Sequence, residues 1–336
     1  MPIIKKPNEV RKIYKETGER GWVLPCFCTE NLTTSEAILA AVKEFGDRHG
    51  VKDLPITVAI TCRYDHRSQV TNYTHSRNAD MGLKLFCADM EILCSEGSPY
   101  ADLRVLTHLD HIQYNNDAAL LNSDLSGFSS IMCDASALPM DENIAFTKAF
   151  VEKKKNEILI EGACDEIYDA GGQDHNELTK PEVAERYLKK TDVDLIVANL
   201  GTEHRANAKN LQYEGEAARK VKAAIGSNIV LHGTSSVPNS QVKNLYSDGV
   251  CKVNIWTSLE RDSTPALFKE MVKNSVKVAG INAANELKDM GLLTEKAIEA
   301  DGGNLAYFTT VYRQTIIFQE MKRLVTDYLE MWYTGL

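Results

Sequence analysis

The chain has 336 residues, of which 43% are hydrophobic and 25% are charged, and its formal net charge is −9. This composition is typical of a globular protein with a large buried core. The negative charge and the lack of a basic cluster argue against nucleic acid as the main partner. The sequence contains no apolar run of the roughly 18–20 residues that span a bilayer and no apolar stretch of signal-peptide length near its start. We therefore expect a cytoplasmic protein that does not contact membranes.

Short apolar runs alternate with helix-patterned segments along the chain. The first run, 22–27, precedes Thr33-Thr34-Ser35-Glu36, which has the pattern of a capping box and predicts a helix through Phe45. The later strand-like runs are 55–61, 103–109, 128–133, 157–161, 193–200, 228–231 and 250–255. Eight strands that alternate with helices predict a parallel (β/α)₈ TIM barrel, an α/β fold. Periodicity alone leaves a doubly wound open sheet as the competing architecture.

The barrel is expected to occupy about residues 20–262, and residues 263–336 have the pattern of a C-terminal helical extension. We expect one domain over residues 1–336, because α/β barrels of this length commonly form a single domain. A polar insertion at 63–78 could form a lid or a surface excursion. The eight cysteines are scattered, and several lie in apolar runs, so a disulfide framework is not expected.

Chemically distinctive side chains follow the ends of the predicted strands. In a TIM barrel the active site lies at these C-terminal ends. The residues found there are Asp110, His111, Asp134, Glu161, His204, His232, Asn254 and Thr257. Their common position predicts an active site at one end of the barrel.

Three of these residues, His111, His204 and His232, come from three different strand ends. Three imidazoles with an open fourth position are the ligand set of a catalytic zinc ion. Asp110 shares a strand face with His108, so we expect Asp110 at the barrel mouth as an acid/base and His108 one layer deeper, behind the metal ligands. His108 is equally well explained as a hydrogen-bonded interior side chain.

The turn His232-Gly233-Thr234-Ser235-Ser236 and the segment from Gly249 to Thr257 follow predicted strands seven and eight. Loops at these positions of a barrel commonly bind phosphate through backbone N–H groups and hydroxyls. Turns of this composition also occur as plain helix caps, so both explanations stay open.

Taken in order, these motifs resemble those of the class II, zinc-dependent ketose-bisphosphate aldolases, the family of fructose-bisphosphate and tagatose-bisphosphate aldolases. The resemblance covers about residues 22–259. It rests on His108-Leu109-Asp110-His111, Gly127-Phe128-Ser129-Ser130-Ile131-Met132-Cys133-Asp134 with Glu142-Asn143-Ile144, Gly201-Thr202-Glu203-His204, Leu231-His232-Gly233 and Lys252-Val253-Asn254. It implies a TIM barrel, expected as a homodimer or homotetramer, that splits a ketose (bis)phosphate into dihydroxyacetone phosphate and an aldehyde.

The resemblance also implies a role for each matching residue. His111, His204 and His232 would hold Zn²⁺, which polarises the ketose carbonyl and stabilises the enediolate, and Asp110 would be the acid/base. The positions that hold dihydroxyacetone phosphate are Gly233, Ser235, Asn254 and Thr257. Candidates for residues behind the ligands, or around a second cation, are His108, Asp134 and Glu161, although Ala163 replaces a glutamate that the family uses with Asp134.

Several positions depart from the family pattern in the substrate pocket. Arg205 replaces a glycine that contacts phosphate, so we expect it to bind the substrate, and Trp256 replaces a small or acidic residue. In the loop after Gly171-Gly172, Asp174 is the candidate base that acts on the donor, with His175 as its substitute. We expect the reaction type to be kept and the substrate to differ.

Three alternatives remain. Arg205 and Arg63 could bind a carboxylate, which would make the protein a metal-dependent aldolase for a sugar acid or another phosphorylated ketose. Lys252 shares a strand face with Asn254 and could form a Schiff base. A catalytically silent barrel subunit is the third alternative, and the retention of Asp110 with all three histidines argues against it.

Overall fold

Eight parallel strands close into a barrel in the computed structural model of the chain, which describes residues 3–167, 177–204, 212–298 and 304–336. The strands follow one another in sequence order, and the last pairs with the first. They are β1 Leu24–Cys28, β2 Pro55–Thr61, β3 Arg104–Gln113, β4 Ser130–Asp134, β5 Leu159–Ala163, β6 Leu195–Val197, β7 Ile229–Leu231 and β8 Val250–Ile255. The predicted TIM barrel is confirmed, and the open sheet is excluded because the barrel has no free edge.

The predicted and observed strands differ mostly at their ends. The sixth strand has three residues instead of the predicted eight, because the chain leaves the sheet after Val197. The N–H of Asn199 donates to the hydroxyl of Thr179 at 2.7 Å, and the N–H of Thr179 donates to the carbonyl of Asn199 at 2.9 Å. These bonds take the place of the sheet ladder at the mouth of the barrel.

One helix precedes the first strand, and further helices occupy the connections between the strands. They are α1 Pro7–Glu19, α2 Leu32–His49, α3 Gln69–Asn72, α4 Ala79–Leu93, α5 Ala118–Leu121, α6 Met140–Lys154, α7 Pro181–Thr191, α8 Gly215–Ile225 and α9 Asn239–Val242. The predicted start of α2 was wrong: Asn31 caps this helix, and its side-chain oxygen accepts the N–H of Thr34 at 2.9 Å. Asparagine caps a helix at least as well as threonine.

The helix α1, which the sequence pattern does not predict, closes the N-terminal end of the barrel. Val10 and Ile13 pack against barrel-interior side chains such as Leu106. Arg11 pairs with Asp194 at 2.6 Å and so ties the helix to the start of β6. With this end covered, the C-terminal ends of the strands form the open mouth.

After β8 the chain forms the predicted C-terminal helices, which pack along one side of the barrel. They are α10 Thr257–Lys273, α11 Ser275–Ala279, α12 Ile281–Asp289, α13 Leu305–Phe308 and α14 Thr310–Trp332. The first begins directly after β8 rather than near residue 263. Trp332 is buried and donates its indole N–H to the carbonyl of Val242 at 3.0 Å. Helix α14 also packs against α2 and α10.

The eight cysteines are all free thiols, and all but Cys87 are buried. The expected lack of a disulfide framework is therefore confirmed, and these thiols act as small core side chains. Within the described ranges, no helix has both the length and the apolar character that a membrane crossing requires.

Candidate active site

A cleft of about 600 Å³ opens at the C-terminal ends of the strands. Its wall contains most of the residues that the sequence predicted for the site. These are Asp110, His111, His204, His232, Gly233, Ser235, Asn254 and Thr257. The barrel therefore brings together side chains that are up to 147 positions apart in the sequence, from Asp110 to Thr257.

A bulge in β3 lets two consecutive residues line the same cleft. On a regular strand, Asp110 and His111 would point to opposite faces of the sheet. The pairing of β3 with β4 instead shifts by one residue between Leu109 and Ile112, and His111 has a φ of 48°. The extra residue of a bulge and a left-handed backbone re-aim the side chain. As a result, both the carboxylate and the imidazole face the barrel mouth.

The imidazole of His111 is held by the carboxylate of Asp134. Nδ1 of His111 lies 2.9 Å from Oδ2 of Asp134, and the other oxygen of Asp134 accepts the hydroxyl of Ser136 at 2.6 Å. Burial raises the pKa of Asp134, but the hydrogen bonds from His111 and Ser136 outweigh it and lower the pKa. Because the ionised carboxylate only accepts hydrogen bonds, Nδ1 carries the proton, and Nε2 is the ring atom that could bind a metal ion.

His111, His204 and His232 form a group that could hold a metal ion. One nitrogen of each ring lies within 4.8 Å of the others, and Nε2 of His111 is 2.9 Å from Nδ1 of His232. A tetrahedral zinc ion with Zn–N bonds of about 2.0–2.1 Å holds its nitrogens roughly 3.4 Å apart, between these two values. Burial holds the pKa of His232 well below its usual value, which favours the neutral, metal-binding form. The three histidines therefore fit the expected zinc ion.

Asp110 is fixed in the cleft by side chains of β1 and β8. Its Oδ1 accepts a hydrogen bond from the side-chain amide of Asn254 at 2.8 Å, and its Oδ2 accepts the thiol of Cys28 at 3.3 Å. Nε2 of His232 is 4.0 Å from Oδ1. Burial alone would raise the pKa of Asp110, but the surrounding histidines, first His111, lower it well below its usual range. An oriented carboxylate therefore stands beside the three imidazoles.

A separate group of charges lies below the cleft. Nζ of Lys252 is 2.7 Å from Oε1 of Glu161, and both side chains are completely buried. His108 lies between the two layers, with Nε2 at 3.6 Å from Glu161 and 3.7 Å from Asp110 and Nδ1 at 2.8 Å from the hydroxyl of Ser130. Glu161 thus faces the ammonium group of Lys252. Lys252 is not among the residues that line the cleft, which leaves the Schiff-base alternative without support.

The turn after β7 approaches the end of the β6 segment closely. Gly233 has a φ of 67°, and a Cβ at this position would lie 2.8–2.9 Å from backbone atoms of Glu203. The hydroxyl of Ser236 accepts the N–H of Glu203 at 3.0 Å. Ser235, in this turn, and Thr257, the first residue of α10, both line the cleft. Hydroxyls beside the start of a long helix suit an anion.

The insertion after β2 packs over the cleft and contributes residues that were not predicted. Tyr64 is buried, and its ring stacks on that of His111 with 4.2 Å between the centroids and 3° between the planes. Arg67 also lines the cleft. The position of this insertion after a barrel strand is the signal that could have identified both. Arg63, by contrast, pairs with Asp80 at 2.8 Å near the surface.

Three predicted residues, Asp174, His175 and Arg205, lie outside the described residues. Their predicted roles, a base with its substitute and a substrate contact, stay predictions.

A closed parallel barrel with a carboxylate and three histidines at its C-terminal mouth is the arrangement of a barrel enzyme. Comparison with known families gives the particular one. Residues 8–301 match the family model "Fructose-bisphosphate aldolase class-II". The chain belongs to the class-II fructose-bisphosphate aldolase family and is therefore a lyase, as the resemblance implied.

Solved structures agree at the level of the fold. A fructose-bisphosphate aldolase from Campylobacter jejuni superposes with a TM-score of 0.75 and 18% identity, over 98% of this chain and 95% of that chain. The YdjI aldolase from Escherichia coli K12 superposes with a TM-score of 0.64 and 19% identity, over 96% of each chain. At such identities the likeness supports the fold and leaves the substrate open.

Proposed function

We propose that the protein is a zinc-dependent aldolase that reversibly splits a phosphorylated ketose into dihydroxyacetone phosphate and an aldehyde. The observation that carries this proposal is the placement of Asp110 beside His111, His204 and His232 in one cleft. Membership of the class-II aldolase family supports the reaction type.

The proposed roles follow from the contacts of each residue. A zinc ion held by the three histidines would polarise the ketose carbonyl and stabilise the negative charge that develops when the carbon–carbon bond breaks. Asp110, oriented by Asn254, takes the proton from the hydroxyl of the departing aldehyde half and returns it during condensation. Asp134 keeps His111 in the metal-binding tautomer. Asp174 is the proposed base for the donor half.

The phosphate of the donor half is proposed to lie against the turn after β7. Gly233, Ser235 and Thr257 supply backbone N–H groups and hydroxyls there, next to the start of the 17-residue helix α10. We propose Arg205 as a further anion contact. Its replacement by glycine should raise KM for the anionic substrate while leaving the metal content unchanged.

The metal and the acid/base can be tested in one series. Purified protein should contain about one equivalent of zinc per chain and lose activity with a chelator. Asp110→Asn should keep the zinc but lose about 10²–10⁴-fold in turnover, while His204→Ala should lose the zinc. Asp53→Asn, at an exposed position outside the cleft, is the matched control and should leave both unchanged. Full activity of Asp110→Asn, or activity that a chelator does not affect, would overturn the proposal.

We also propose that the protein forms a homodimer or homotetramer. The support is a group of exposed apolar side chains on the C-terminal helices, among them Phe268, Leu305 and Val311, each at least 65% exposed. Exposed apolar side chains of this kind are common at contacts between subunits. Light scattering during size-exclusion chromatography would show a monomer if this proposal is wrong.

A further inference from the structure

The side chains of Arg67 and Trp256 form a part of the cleft wall to which the proposed mechanism gives no role. The guanidinium of Arg67 lies over the indole ring of Trp256, 4.2 Å from the ring centroid. A guanidinium stacked on an aromatic face is a rigid, flat surface. Trp256 comes directly after β8 and Arg67 from the insertion after β2, so this wall joins two loops at the barrel mouth.

The charge of Arg67 is already paired. Its Nε donates to Oε2 of Glu30 at 3.1 Å, and its Nη2 donates to the other oxygen of the same carboxylate. The side-chain amide of Asn72 donates to Oε2 of Glu30 at 2.7 Å. This forked geometry is the strongest pairing that a guanidinium makes with a carboxylate. The arginine is therefore occupied by an internal acid rather than open to an incoming anion.

A second acidic side chain, Glu260, lies behind the wall. Glu260 lies one helical turn after Trp256, and its Oε1 is buried without a hydrogen-bond partner among the described residues. Burial, followed by the charge of Glu30, raises the pKa of Glu260 to about 7, while Arg67 opposes the shift. The charges of Glu30 and Arg67 thus both act on the carboxyl group of Glu260.

The turn after β7 and the Arg67 wall consequently treat an anion differently. Around Gly233 and Ser235, backbone N–H groups and hydroxyls favour a phosphate. At the Arg67 wall, a phosphate would have to displace Glu30 from the guanidinium and would be repelled by its carboxylate. Arg67 is the one lysine or arginine in the part of the cleft lining that the structure describes.

We propose that the aldehyde half of the substrate carries no phosphate, so that the ketose is a monophosphate whose uncharged, hydroxylated end lies on the Arg67–Trp256 wall. Glu30 disfavours a phosphate at this wall because its carboxylate is already paired with the guanidinium of Arg67. This inference rests on the proposed aldolase function and names its substrate class.

The test is condensation of dihydroxyacetone phosphate with D- or L-glyceraldehyde, compared with the 3-phosphate of each. The wild-type chain should have a kcat/KM at least tenfold higher for the uncharged aldehyde. Glu30→Gln leaves Arg67 without a charged partner and should move the ratio at least tenfold toward the phosphorylated aldehyde. The double variant Glu30→Gln with Arg67→Met should lose that gain.

The matched control is Glu16→Gln. Glu16 lies on α1, away from the cleft, and its carboxylate pairs with Arg104. This variant should leave the ratio unchanged. A wild-type preference for the phosphorylated aldehyde, or a ratio that Glu30→Gln changes less than threefold, would overturn the inference.

The proposed function is tested separately by exchange of the C3 proton of dihydroxyacetone phosphate with D₂O, followed by NMR. This exchange needs no aldehyde. Exchange without condensation with any of the aldehydes would overturn the inference and keep the proposed function. Absence of exchange in the zinc-loaded protein would overturn both.

Discussion

The buried pair of Lys252 and Glu161 gives a prediction about stability that does not depend on the proposed function. Both side chains are completely buried, with Nζ 2.7 Å from Oε1. Lys252→Met keeps the length and apolar volume of the side chain but removes the cationic partner of the Glu161 carboxylate, which Nε2 of His108 approaches only to 3.6 Å. Removing one partner of a buried ion pair costs about 3–5 kcal/mol. This is a large part of the roughly 5–15 kcal/mol that stabilises a folded protein.

The free energy of unfolding, measured by urea denaturation with circular dichroism, should therefore fall by about 3–5 kcal/mol in Lys252→Met. The double variant Lys252→Met with Glu161→Gln should recover at least half of this loss, because no unpaired charge remains. Lys189→Met, which removes an exposed pair with Glu185, is the matched control and should cost about 0.5 kcal/mol or less. A loss below about 1 kcal/mol in Lys252→Met would refute the reasoning.

The remaining predictions also concern stability. The folded-state pKa of Glu260, about 7, lies above the ordinary value of 4.5, so folding favours the protonated form and stability falls as pH rises through 7. Glu260→Gln should raise the free energy of unfolding by about 1–3 kcal/mol at pH 9 and by much less at pH 5. An equal gain in stability at the two pH values would contradict this prediction. A Cβ on Gly162 would lie 2.7 Å from the buried ring of Tyr187, so Gly162→Ala should lower the stability measured by thermal unfolding by about 1–3 kcal/mol. The control is Gly18→Ala, whose added Cβ would have no atom within 4 Å and should leave the stability unchanged. Trp332→Ala should cost about 3–5 kcal/mol, and a smaller loss would show that α14 contributes little to the core.

The sequence predicts the barrel because strand-like runs and helix patterns alternate eight times. It predicts the residues of the cleft because those that follow the strands converge at one end of such a barrel. It does not predict the bulge at His111, since a left-handed φ at a histidine depends on contacts from other strands. It also does not predict that α1 closes the barrel, because an amphipathic helix does not reveal which surface it covers.

The Arg67–Trp256 wall is also not predictable from the sequence. Trp256 stands out in the sequence as a departure from the family pattern, yet its partner is 189 positions away, at Arg67. Neither residue has a local pattern that predicts the contact. Only the closed barrel, which places the loop after β2 near the end of β8, brings them together.

The loop after β2 contacts both the histidine group, through Tyr64, and the Arg67–Trp256 wall, through Arg67. The left-handed backbone at His111 costs on the order of 1–2 kcal/mol, and the stack with Tyr64 and the hydrogen bond to Asp134 hold the ring in place. Three residues after Tyr64, Arg67 lies on Trp256. A change in this loop is therefore expected to affect both the ring of His111 and the Arg67–Trp256 wall. By contrast, Glu30 contacts the wall from the loop after β1 and does not contact His111 in the described structure. Substrate preference can thus change at Glu30 without disturbing the three histidines, which is why this residue is the sharpest place to test the proposed specificity.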